Sequence, residues 1–296
     1  MQKIDPHTIS IDKLSLPLLN KKKVEADVLR LDKIHPLISG NKWFKLRYYL
    51  EEAKKQKKKT IVTFGGAWSN HILATAAASH LNGFNCIGII RGEEPATLSP
   101  TLIKAKELGM QLIFISREDY KTRNVPEKVC NEECYLIAEG GYGIKGAEGA
   151  ATILDYCTKE KYTHICCAAG TGTMAAGLIS EAVSSARIIV LSVLKNNMEL
   201  ADSIKKLLRK KEPSFQLLHD YHFGGYAKHN PALLNFMNEF YSATFIPTDF
   251  VYTGKLFYGV HDLITNEFFP SGSKLLIIHS GGLQGNDSLS KGTLIF

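Results

Sequence analysis

The chain of 296 residues contains no apolar run that approaches the ~18 consecutive residues needed for a membrane-spanning helix. Near its N-terminus, Lys3, Asp5, Pro6 and Asp12 interrupt any stretch that could serve as the apolar core of a secretion signal. Internal repeats and low-complexity segments are also absent. These absences predict a cytoplasmic globular protein with no membrane partner, long enough for two lobes that each have a core.

Cysteine occurs at six positions, but the spacing matches neither a disulfide framework nor a metal site. Cys166 and Cys167 are adjacent within an apolar run. Cys130 and Cys134 are one helical turn apart, and no second pair of Cys or His residues completes a zinc site. We therefore expect reduced thiols and no bound metal.

Acidic residues are fewer than basic ones, with 29 Asp and Glu against 36 Lys and Arg, so the formal net charge is +7. The lysines fall in separate runs at 21–23, 54–59 and 205–211, interleaved with Glu, Gln and Leu. Such runs are typical of solvated helix faces, and no nucleic-acid-binding motif accompanies them. The charge therefore predicts no nucleic-acid partner.

Short apolar runs alternate with helical patterns in two series along the chain. The predicted strands are 60–64, 85–91 and 111–116 in the first series, and 164–168, 187–193 and 274–279 in the second. Helices are predicted at 70–80, at 99–108 and from the Gly-rich turn after 168 to about 183. Strands that are apolar throughout and alternate with helices indicate parallel sheets covered on both faces. The sequence thus predicts an α/β protein with two lobes, a cleft between them and a crossing near 139–143.

The loop Ser39-Gly40-Asn41-Lys42 leads into a predicted helix, where Trp43, Leu46 and Leu50 form an apolar stripe. A lysine at a helix N-terminus experiences a macrodipole that disfavours its positive charge. This placement would lower the pKa of Lys42 and suit it to covalent amine chemistry. Considered alone, the pattern favours an ordinary surface lysine, as one of 36 basic residues.

A second loop, Gly65 to His71, joins a strand to a helix through two glycines and a Ser-Asn pair. Free backbone N–H groups at such a helix start form an anion site suited to a carboxylate. Simple N-capping of the helix by Ser69 or Asn70 is the alternative interpretation.

A third loop, Gly170-Thr171-Gly172-Thr173, follows a strand and opens a helix, the arrangement of a phosphate cradle. A dinucleotide site would require an acidic residue about twenty positions further on, to hold the ribose. The chain has Lys195-Asn196-Asn197 there, with Glu199 the nearest acid, and no Gly-Lys-Ser/Thr follows the glycines. The loop therefore favours a monophosphate over NAD or a P-loop nucleotide.

A fourth group of segments combines glycine with polar or aromatic residues at 223–226, 249–255 and 279–282. Glycine outside any amphipathic period suggests backbone that approaches a ligand. Tyr226 and Tyr252 could bind a ligand or transfer protons, although tyrosines of the core would give the same pattern.

The order of these motifs is more specific than any one of them. Gly-Asn-Lys at 40–42, Gly-Gly-x-x-Ser-Asn-His at 65–71, the loop at 170–173, Val-Tyr-Thr-Gly-Lys at 251–255 and His-Ser-Gly-Gly at 279–282 resemble the D-cysteine desulfhydrase / 1-aminocyclopropane-1-carboxylate (ACC) deaminase family. The resemblance implies a fold-type II pyridoxal-phosphate enzyme, similar to the tryptophan synthase β subunit and commonly homodimeric. It further implies a large domain of 1–45 plus 146–296, a small domain of 46–145, and cofactor in the cleft between them.

The resemblance also assigns roles to individual residues. Lys42 matches the lysine that holds pyridoxal 5'-phosphate covalently, and Thr253 the group facing its pyridine nitrogen. Ser69, Tyr226 and Tyr252 match catalytic residues beside the substrate. The remaining matches are Asn70 for cofactor and substrate, Gly170, Thr171, Gly172 and Thr173 for the cofactor phosphate, and His71 and Ser280 for the substrate.

Departures from the family pattern bear on the substrate. Thr253 stands where ACC deaminases are expected to carry Glu, and Ser280 where they carry Leu. Because threonine offers only a hydroxyl to the pyridine nitrogen, the ring would be a weaker electron sink, which favours the desulfhydrase side. Trp43 and Phe44 replace the small or polar residues often seen after the lysine, and bulky groups beside the cofactor could narrow or reshape the substrate pocket.

The expected reaction is β-elimination on a small D-amino acid substrate, with D-cysteine giving pyruvate, ammonia and hydrogen sulfide. Lys42, or Ser69 aided by a tyrosine, would remove the Cα proton. The alternatives are ACC deamination, elimination from another small D-amino acid such as D-serine, and a non-catalytic homologue that binds only the cofactor or a small ligand.

Overall fold

The computed structural model describes residues 4–122, 129, 131–208 and 215–296. Cys130 and the end of the lysine run 205–211 lie outside these residues. The described residues form ten strands and ten α-helices. The strands are β1 Ser10–Lys13, β2 Glu25–Arg30, β3 Thr60–Gly65, β4 Asn85–Arg91, β5 Met110–Ile115, β6 Cys134–Ile137, β7 His164–Ala169, β8 Arg187–Ser192, β9 Phe215–Leu218 and β10 Lys274–His279. The helices are α1 Pro17–Lys22, α2 Asn41–Lys55, α3 Asn70–Asn82, α4 Pro100–Glu107, α5 Arg117–Thr122, α6 Ile144–Ala151, α7 Thr173–Glu181, α8 Leu200–Lys205, α9 Pro231–Thr244 and α10 Thr253–Thr265.

The strands form two sheets. The larger sheet has the order β1-β2-β10-β7-β8-β9, and the smaller one β5-β4-β3-β6. Every pair of neighbours is parallel except β1 and β2. The smaller sheet is built from chain between 60 and 137, and the larger from chain on both sides of it. The parallel α/β architecture predicted from the apolar runs is thus observed, whereas the domain boundaries at 45 and 145 remain a prediction.

The central strands of the larger sheet are buried on both faces. Alternate residues of β7 enter different clusters, with Ile165 and Cys167 packing on one face and Cys166 and Ala168 on the other. This alternation follows from the period of two along a strand. Burial of each aliphatic side chain contributes roughly 1.5–3 kcal/mol to folding. Helices packed on both faces of the sheet provide this burial.

The thiols of this core are free, as the sequence predicts for Cys166 and Cys167. Burial raises the pKa of the Cys167 thiol to about 12. No group of three or more His, Cys, Asp or Glu side chains within the described ranges could hold a metal ion. None of the described helices has the length and apolar character required to cross a membrane.

Three loops at the carboxyl ends of parallel strands define the cleft. They follow β3, β7 and β10, and the first two lead directly into α3 and α7. A further loop before α2 joins them, because the backbone N–H of Asn41 donates to the carbonyl of Ser280 at 3.2 Å. Gly40 makes this approach possible, since a Cβ there would lie 1.9 Å from the Ser280 oxygen. Ligands of open α/β sheets bind at this edge of the strands.

Candidate active site

A cavity of about 570 Å³ lies where these loops meet. Most of the residues singled out in the sequence line it. They are Lys42, Ser69, Asn70, His71, Gly170, Thr171, Gly172, Tyr226, Tyr252 and Ser280. Thr173 and Thr253 are buried directly behind lining residues rather than in the lining itself.

Lys42 occupies the first turn of α2, which begins at Asn41 after Gly40. Its Nζ donates to the Asn41 side-chain oxygen at 3.0 Å and lies 5.9 Å from the centre of the Tyr252 ring. Burial lowers the pKa of Lys42 to about 8, and the carboxylate of Asp249 opposes this shift. Desolvation therefore lowers the pKa of Lys42 in the same direction that the sequence predicts from its place at a helix start.

A second buried lysine, Lys45, lies one turn further along α2 and also lines the cavity. Burial, and then the charge of Lys42, hold the pKa of Lys45 well below its ordinary value. Its Nζ lies 3.5 Å from the carbonyl oxygen of Gly140. The sequence reasoning missed Lys45, although the i, i+3 spacing from Lys42 places both on one helix face. Two amines in one cavity favour an anionic ligand.

The start of α3 forms the second wall. The Ser69 hydroxyl oxygen accepts from the backbone N–H groups of His71 and Ile72 at 3.2 and 3.3 Å, so it caps the helix. Asn70 is buried, and its side-chain nitrogen lies 3.5 Å from the Gly282 carbonyl oxygen. The Asn70 side-chain oxygen has no hydrogen-bond partner among the described residues. A buried acceptor without a partner is costly and indicates a site completed by a ligand.

His71 is fixed as a neutral ring. The Thr63 hydroxyl donates to the Ile137 carbonyl at 2.8 Å, so it accepts from His71 Nε2, also at 2.8 Å. Burial, followed by the charges of Lys42 and Lys45, holds the pKa of His71 well below its ordinary value. Its Nδ1 is therefore a buried lone pair, and none of the described groups bonds to it.

The glycine loop after β7 leaves the start of α7 open. Gly172 is the N-cap residue with φ of 81°, and no side chain caps the helix. A Cβ on Gly172 would lie 2.6 Å from Ile204 Cγ1, so both the backbone angle and the packing require glycine. The hydroxyls of Thr171 and Thr173 lie 3.0 Å apart. An uncapped helix start with two hydroxyls suits a phosphate.

Tyr226 and Tyr252 form an edge-to-face pair at the cavity, with ring centroids 6.2 Å apart. Burial raises the pKa of both phenols, and the pKa of Tyr252 lies well above its ordinary value. Both rings are therefore neutral at physiological pH and are proton donors rather than bases. Tyr226 is the more accessible of the two, with 40% of its surface exposed.

Asp249, which lies in the segment 249–255 noted in the sequence but has no role assigned there, organises the start of α10. Its buried carboxylate accepts from the backbone N–H groups of Val251, Tyr252 and Thr253 at 2.9–3.0 Å. The Thr253 hydroxyl donates to the same carboxylate at 2.7 Å. Thr253 therefore stands behind Tyr252, and its proposed position beside the pyridine nitrogen remains a prediction.

Trp43 and Phe44 are not among the described residues that line the cavity. Phe44 is fully buried in a core cluster, where its ring meets Tyr156 edge to face at 5.7 Å. Trp43 packs against the same cluster and against the core of the smaller sheet. The two side chains follow Lys42 in sequence but leave α2 on other faces, as the helical period of 3.6 requires.

Comparison with known proteins gives a consistent result. Residues 13–281 match the family model described as pyridoxal-phosphate dependent enzyme. The chain is 32% identical over 271 residues to a putative 1-aminocyclopropane-1-carboxylate deaminase of Thermotoga maritima, covering 83% of this chain and 85% of the relative. It is also 31% identical over 281 residues to the bifunctional D-cysteine desulfhydrase/1-aminocyclopropane-1-carboxylate deaminase, mitochondrial, of Arabidopsis thaliana. That alignment covers 84% of this chain and 70% of the relative.

Among solved structures, the crystal structure of an ACC deaminase homologue superposes with a TM-score of 0.83 at 25% identity. The superposition covers 96% of this chain and 92% of the other. These similarities confirm the resemblance, the fold class and the cofactor that the ordered motifs predict.

Proposed function

This chain belongs to the pyridoxal-phosphate dependent enzymes, in the group that contains ACC deaminases and D-cysteine desulfhydrases, and we propose that it performs β-elimination on a small D-amino acid. With D-cysteine the products would be pyruvate, ammonia and hydrogen sulfide. The observation that carries the proposal is the amine of Lys42, which has a pKa of about 8 and faces the same cavity as an uncapped helix start.

The lining of the cavity fits pyridoxal 5'-phosphate. Lys42 would hold its aldehyde carbon covalently. The side-chain oxygen of Asn70, which has no partner among the described residues, would accept a hydrogen bond from a bound ligand. The backbone around Gly170–Thr173 would hold the phosphate, and the Lys45 amine would donate a hydrogen bond to it. When bound, the cofactor supplies an electron sink for negative charge that develops at the substrate Cα.

The protein's own groups would orient the substrate and move its protons. The N-terminal end of α3 would bind the substrate carboxylate beside His71 through the hydroxyl hydrogen of Ser69, the side-chain amide of Asn70 and the helix dipole, because the N–H groups of His71 and Ile72 already donate to the Ser69 oxygen. Because His71 is neutral, it adds no charge and can accept a hydrogen bond only at Nδ1. Ser280 would contact the substrate from the opposite loop.

Proton transfer at Cα falls to Lys42. With a pKa of about 8, a minor fraction of its amine is already unprotonated near neutral pH, far more than for an ordinary lysine, so Nζ can accept a proton. The Ser69 hydroxyl oxygen already accepts two backbone N–H groups, which makes it a poorer base. The neutral phenols of Tyr226 and Tyr252 would donate a proton to the departing sulfur.

ACC deamination is the second candidate. The observation in its favour is the buried carboxylate of Asp249, which bonds to Thr253 and so brings negative charge close to the position where the family pattern has Glu. The substrate would be bound by the same helix start, because ACC also carries a carboxylate.

Absorbance and product assays test the proposal. We expect the purified protein to show the visible absorbance of lysine-bound cofactor, and Lys42→Ala to abolish it. Sulfide and pyruvate would then be measured with D-cysteine, L-cysteine and ACC. A protein that stays colourless after incubation with pyridoxal 5'-phosphate would contradict the cofactor role of Lys42. Turnover of ACC alone would replace the first candidate by the second, and coloured protein without any turnover would indicate a non-catalytic homologue.

We further propose that the enzyme is a cytoplasmic homodimer, in line with the family resemblance. Light scattering after size-exclusion chromatography would measure its mass against the 32.8 kDa of one chain.

A further inference from the structure

Lys255 is a buried lysine with no place in the chemistry described so far. It lies in the first turn of α10, three residues after Tyr252, and its relative exposure is 0%. Lysine is almost never fully buried unless it is paired. Among the described residues no carboxylate forms an ion pair with Lys255, so its partners must be of another kind.

Those partners are two backbone carbonyls of a single turn. The Lys255 Nζ donates to the carbonyl of His222 at 2.9 Å and to that of Gly225 at 2.7 Å. The turn is itself closed by the Gly225 N–H, which donates to the His222 carbonyl at 2.9 Å. One ammonium group therefore bonds to both ends of the same turn, and such bonds to a charged donor are stronger than neutral ones.

The backbone of this turn is strained. Phe223 and Ala227 both have φ of 52°, a region that residues other than glycine rarely adopt. Gly224 and Gly225 have φ of 93° and 119°. Conformations of this kind persist only where surrounding contacts hold them in place. The two bonds from Lys255 are such contacts.

Tyr226 lies inside the strained segment, between Gly225 and Ala227. Its ring lines the main cavity and a neighbouring cavity of about 250 Å³, and packs edge to face on Tyr252. Tyr252 is fixed from the same helix, since its backbone N–H donates to Asp249. The segment at the start of α10 therefore holds both tyrosines: Asp249 bonds to the backbone of Tyr252, and Lys255 bonds to the turn that carries Tyr226.

Retaining a lysine at this position has a cost. Burial lowers the pKa of Lys255 to about 8 although the charge of Asp249 opposes the shift, so removing this ammonium from water carries a penalty. An unbranched apolar side chain such as methionine would fill much of the same space without that penalty. A role limited to packing therefore does not account for lysine, whereas bonds to the turn do.

We propose that Lys255 is a positioning residue that holds the turn 222–227, and with it the Tyr226 hydroxyl, at the cavity through its bonds to the His222 and Gly225 carbonyls. The proposal rests on the proposed function only in the catalytic use of Tyr226. The effect on the turn itself is independent of the reaction.

Hydrogen exchange tests the effect on the turn. In Lys255→Met we expect the amides of 222–228 to exchange about tenfold faster, which corresponds to roughly 1.4 kcal/mol of lost protection, while β10 and α7 keep their rates. Val260→Ala is the matched control, because Val260 is buried on the same helix but packs against the sheet. It should lower stability without selective exchange at 222–228. Unchanged exchange at 222–228 in Lys255→Met would overturn the proposal.

Fluorescence gives a second readout of the turn, since Trp68 and Tyr226 line the same neighbouring cavity. In a Trp43→Phe background Trp68 is the remaining tryptophan. Acrylamide should quench it more strongly once Lys255→Met is added, and no more strongly with Val260→Ala. Equal quenching in both variants would count against a role of Lys255 in holding Tyr226.

Kinetics test whether Lys255 acts through Tyr226. Lys255→Met and Tyr226→Phe should each lower kcat, by about tenfold or more, with cofactor affinity unchanged. The double variant should be no slower than the slower single variant, because residues that act through one group are non-additive. Multiplied losses would show an independent role and overturn the inference. If no amino acid is turned over by the wild type, the proposed function fails, while exchange and fluorescence still decide the role of Lys255.

Discussion

Three hydrogen bonds join Thr253 and Asp249 at the start of α10, and the first runs from the Thr253 backbone N–H to the Asp249 carboxylate at 2.9 Å. The Thr253 hydroxyl donates to the Asp249 carboxylate at 2.7 Å, and the Asp249 backbone N–H donates to the Thr253 hydroxyl oxygen, also at 2.7 Å. The hydroxyl hydrogen is therefore committed, so toward any further partner Thr253 can only accept. Both residues are fully buried, which makes this pair sensitive to substitution.

Replacing Thr253 should reveal the strength of this pair. Thr253→Val removes a hydrogen bond to a buried carboxylate, and we expect the free energy of unfolding to fall by about 1.5–3 kcal/mol. Thr253→Ser should keep most of the stability. Thr253→Glu, the residue expected in ACC deaminases, should destabilise more than Thr253→Val, because it buries a second carboxylate beside Asp249. Urea unfolding monitored by circular dichroism measures all three.

The same helix provides a control for this series. The Thr265 hydroxyl donates to the His261 carbonyl at 2.9 Å in an exposed setting. Thr265→Val should therefore change the free energy of unfolding by less than about 0.5 kcal/mol. Equal losses for Thr253→Val and Thr265→Val would contradict the importance of the buried pair.

Lys42 should react as an amine with a pKa of about 8 rather than as a free lysine near 10.4. Because burial disfavours its charged form, the neutral amine appears as pH rises through about 8. In protein without cofactor, reductive methylation of Lys42 should rise through that pH and then level off. Tandem mass spectrometry can separate Lys42 from Lys45, and a peptide with the sequence of residues 39–46 is the control. An inflection shared by protein and peptide would exclude the shift.

Stability should follow the same shift. The folded protein binds a proton at Lys42 more weakly than the unfolded chain, so between about pH 8 and 10.5 the unfolded state holds more protons at this site. The contribution of Lys42 to the free energy of unfolding therefore rises with pH across that window. Lys42→Met should remove this part of the pH dependence, which urea titrations at pH 7.5 and 10 would measure.

Much of the fold follows from local pattern. The run Asn85–Arg91 was predicted with the bounds it has, and β3, β7 and β10 within a residue, because apolar β-branched runs closed by glycine are distinctive. β2 was missed since it contains Asp27 and Arg30, two charges that argue against a buried strand. Their burial depends on partners far along the chain, such as Tyr162, whose hydroxyl donates to Asp27 at 2.9 Å.

The residues of the site also fall into those that local pattern predicts and those that depend on tertiary contacts. Its glycine loops and the lysine at the start of α2 are visible as motifs, because turns and helix starts need particular residue types. Lys45 is not predicted, and Asp249 and Lys255 lie in a predicted segment without an assigned role, since nothing local distinguishes a buried charge from the other charged residues of the chain. Their burial follows from tertiary contacts, as with Lys255 and the carbonyl of Gly225, 30 positions away.

Gly172 should be the most demanding glycine of the phosphate loop. Gly172→Ala places a Cβ 2.6 Å from Ile204 Cγ1 at φ of 81°, so we expect both lower stability and weaker binding of pyridoxal 5'-phosphate, by about tenfold or more. Gly83→Ala is matched in backbone angle, with φ of 73°, but has open space around it and lies away from the cavity. It should cost about 1–2 kcal/mol of stability and leave cofactor affinity unchanged. Cofactor titration followed by absorbance distinguishes the two; equal affinities would argue against a phosphate at this loop.

The buried ion pair of Arg30 and Asp32 supports the loop after β10. Arg30 bonds to both carboxylate oxygens of Asp32, at 2.9 and 2.7 Å. The Asp32 carboxylate also lies 3.2 Å from Nδ1 of His279, the last residue of β10. Burial acts to raise the pKa of Asp32, but its contacts with His279 and Arg30 outweigh this and hold that pKa below its ordinary value.

Asp32→Asn should therefore be strongly destabilising at neutral pH. It leaves a buried guanidinium with one partner fewer, and we expect a loss of about 3–5 kcal/mol in the free energy of unfolding. The contribution of Asp32 is present above its unfolded pKa and is lost as pH falls through its lower folded pKa. The penalty of Asp32→Asn should accordingly shrink below about pH 3.8.

The exposed Asp155, 3.4 Å from Lys159, is the control, and Asp155→Asn should cost less than about 1 kcal/mol. Urea unfolding of both variants at pH 7 and pH 3 measures the difference, and a penalty for Asp32→Asn that is the same at both pH values would show that its ionisation does not stabilise the fold.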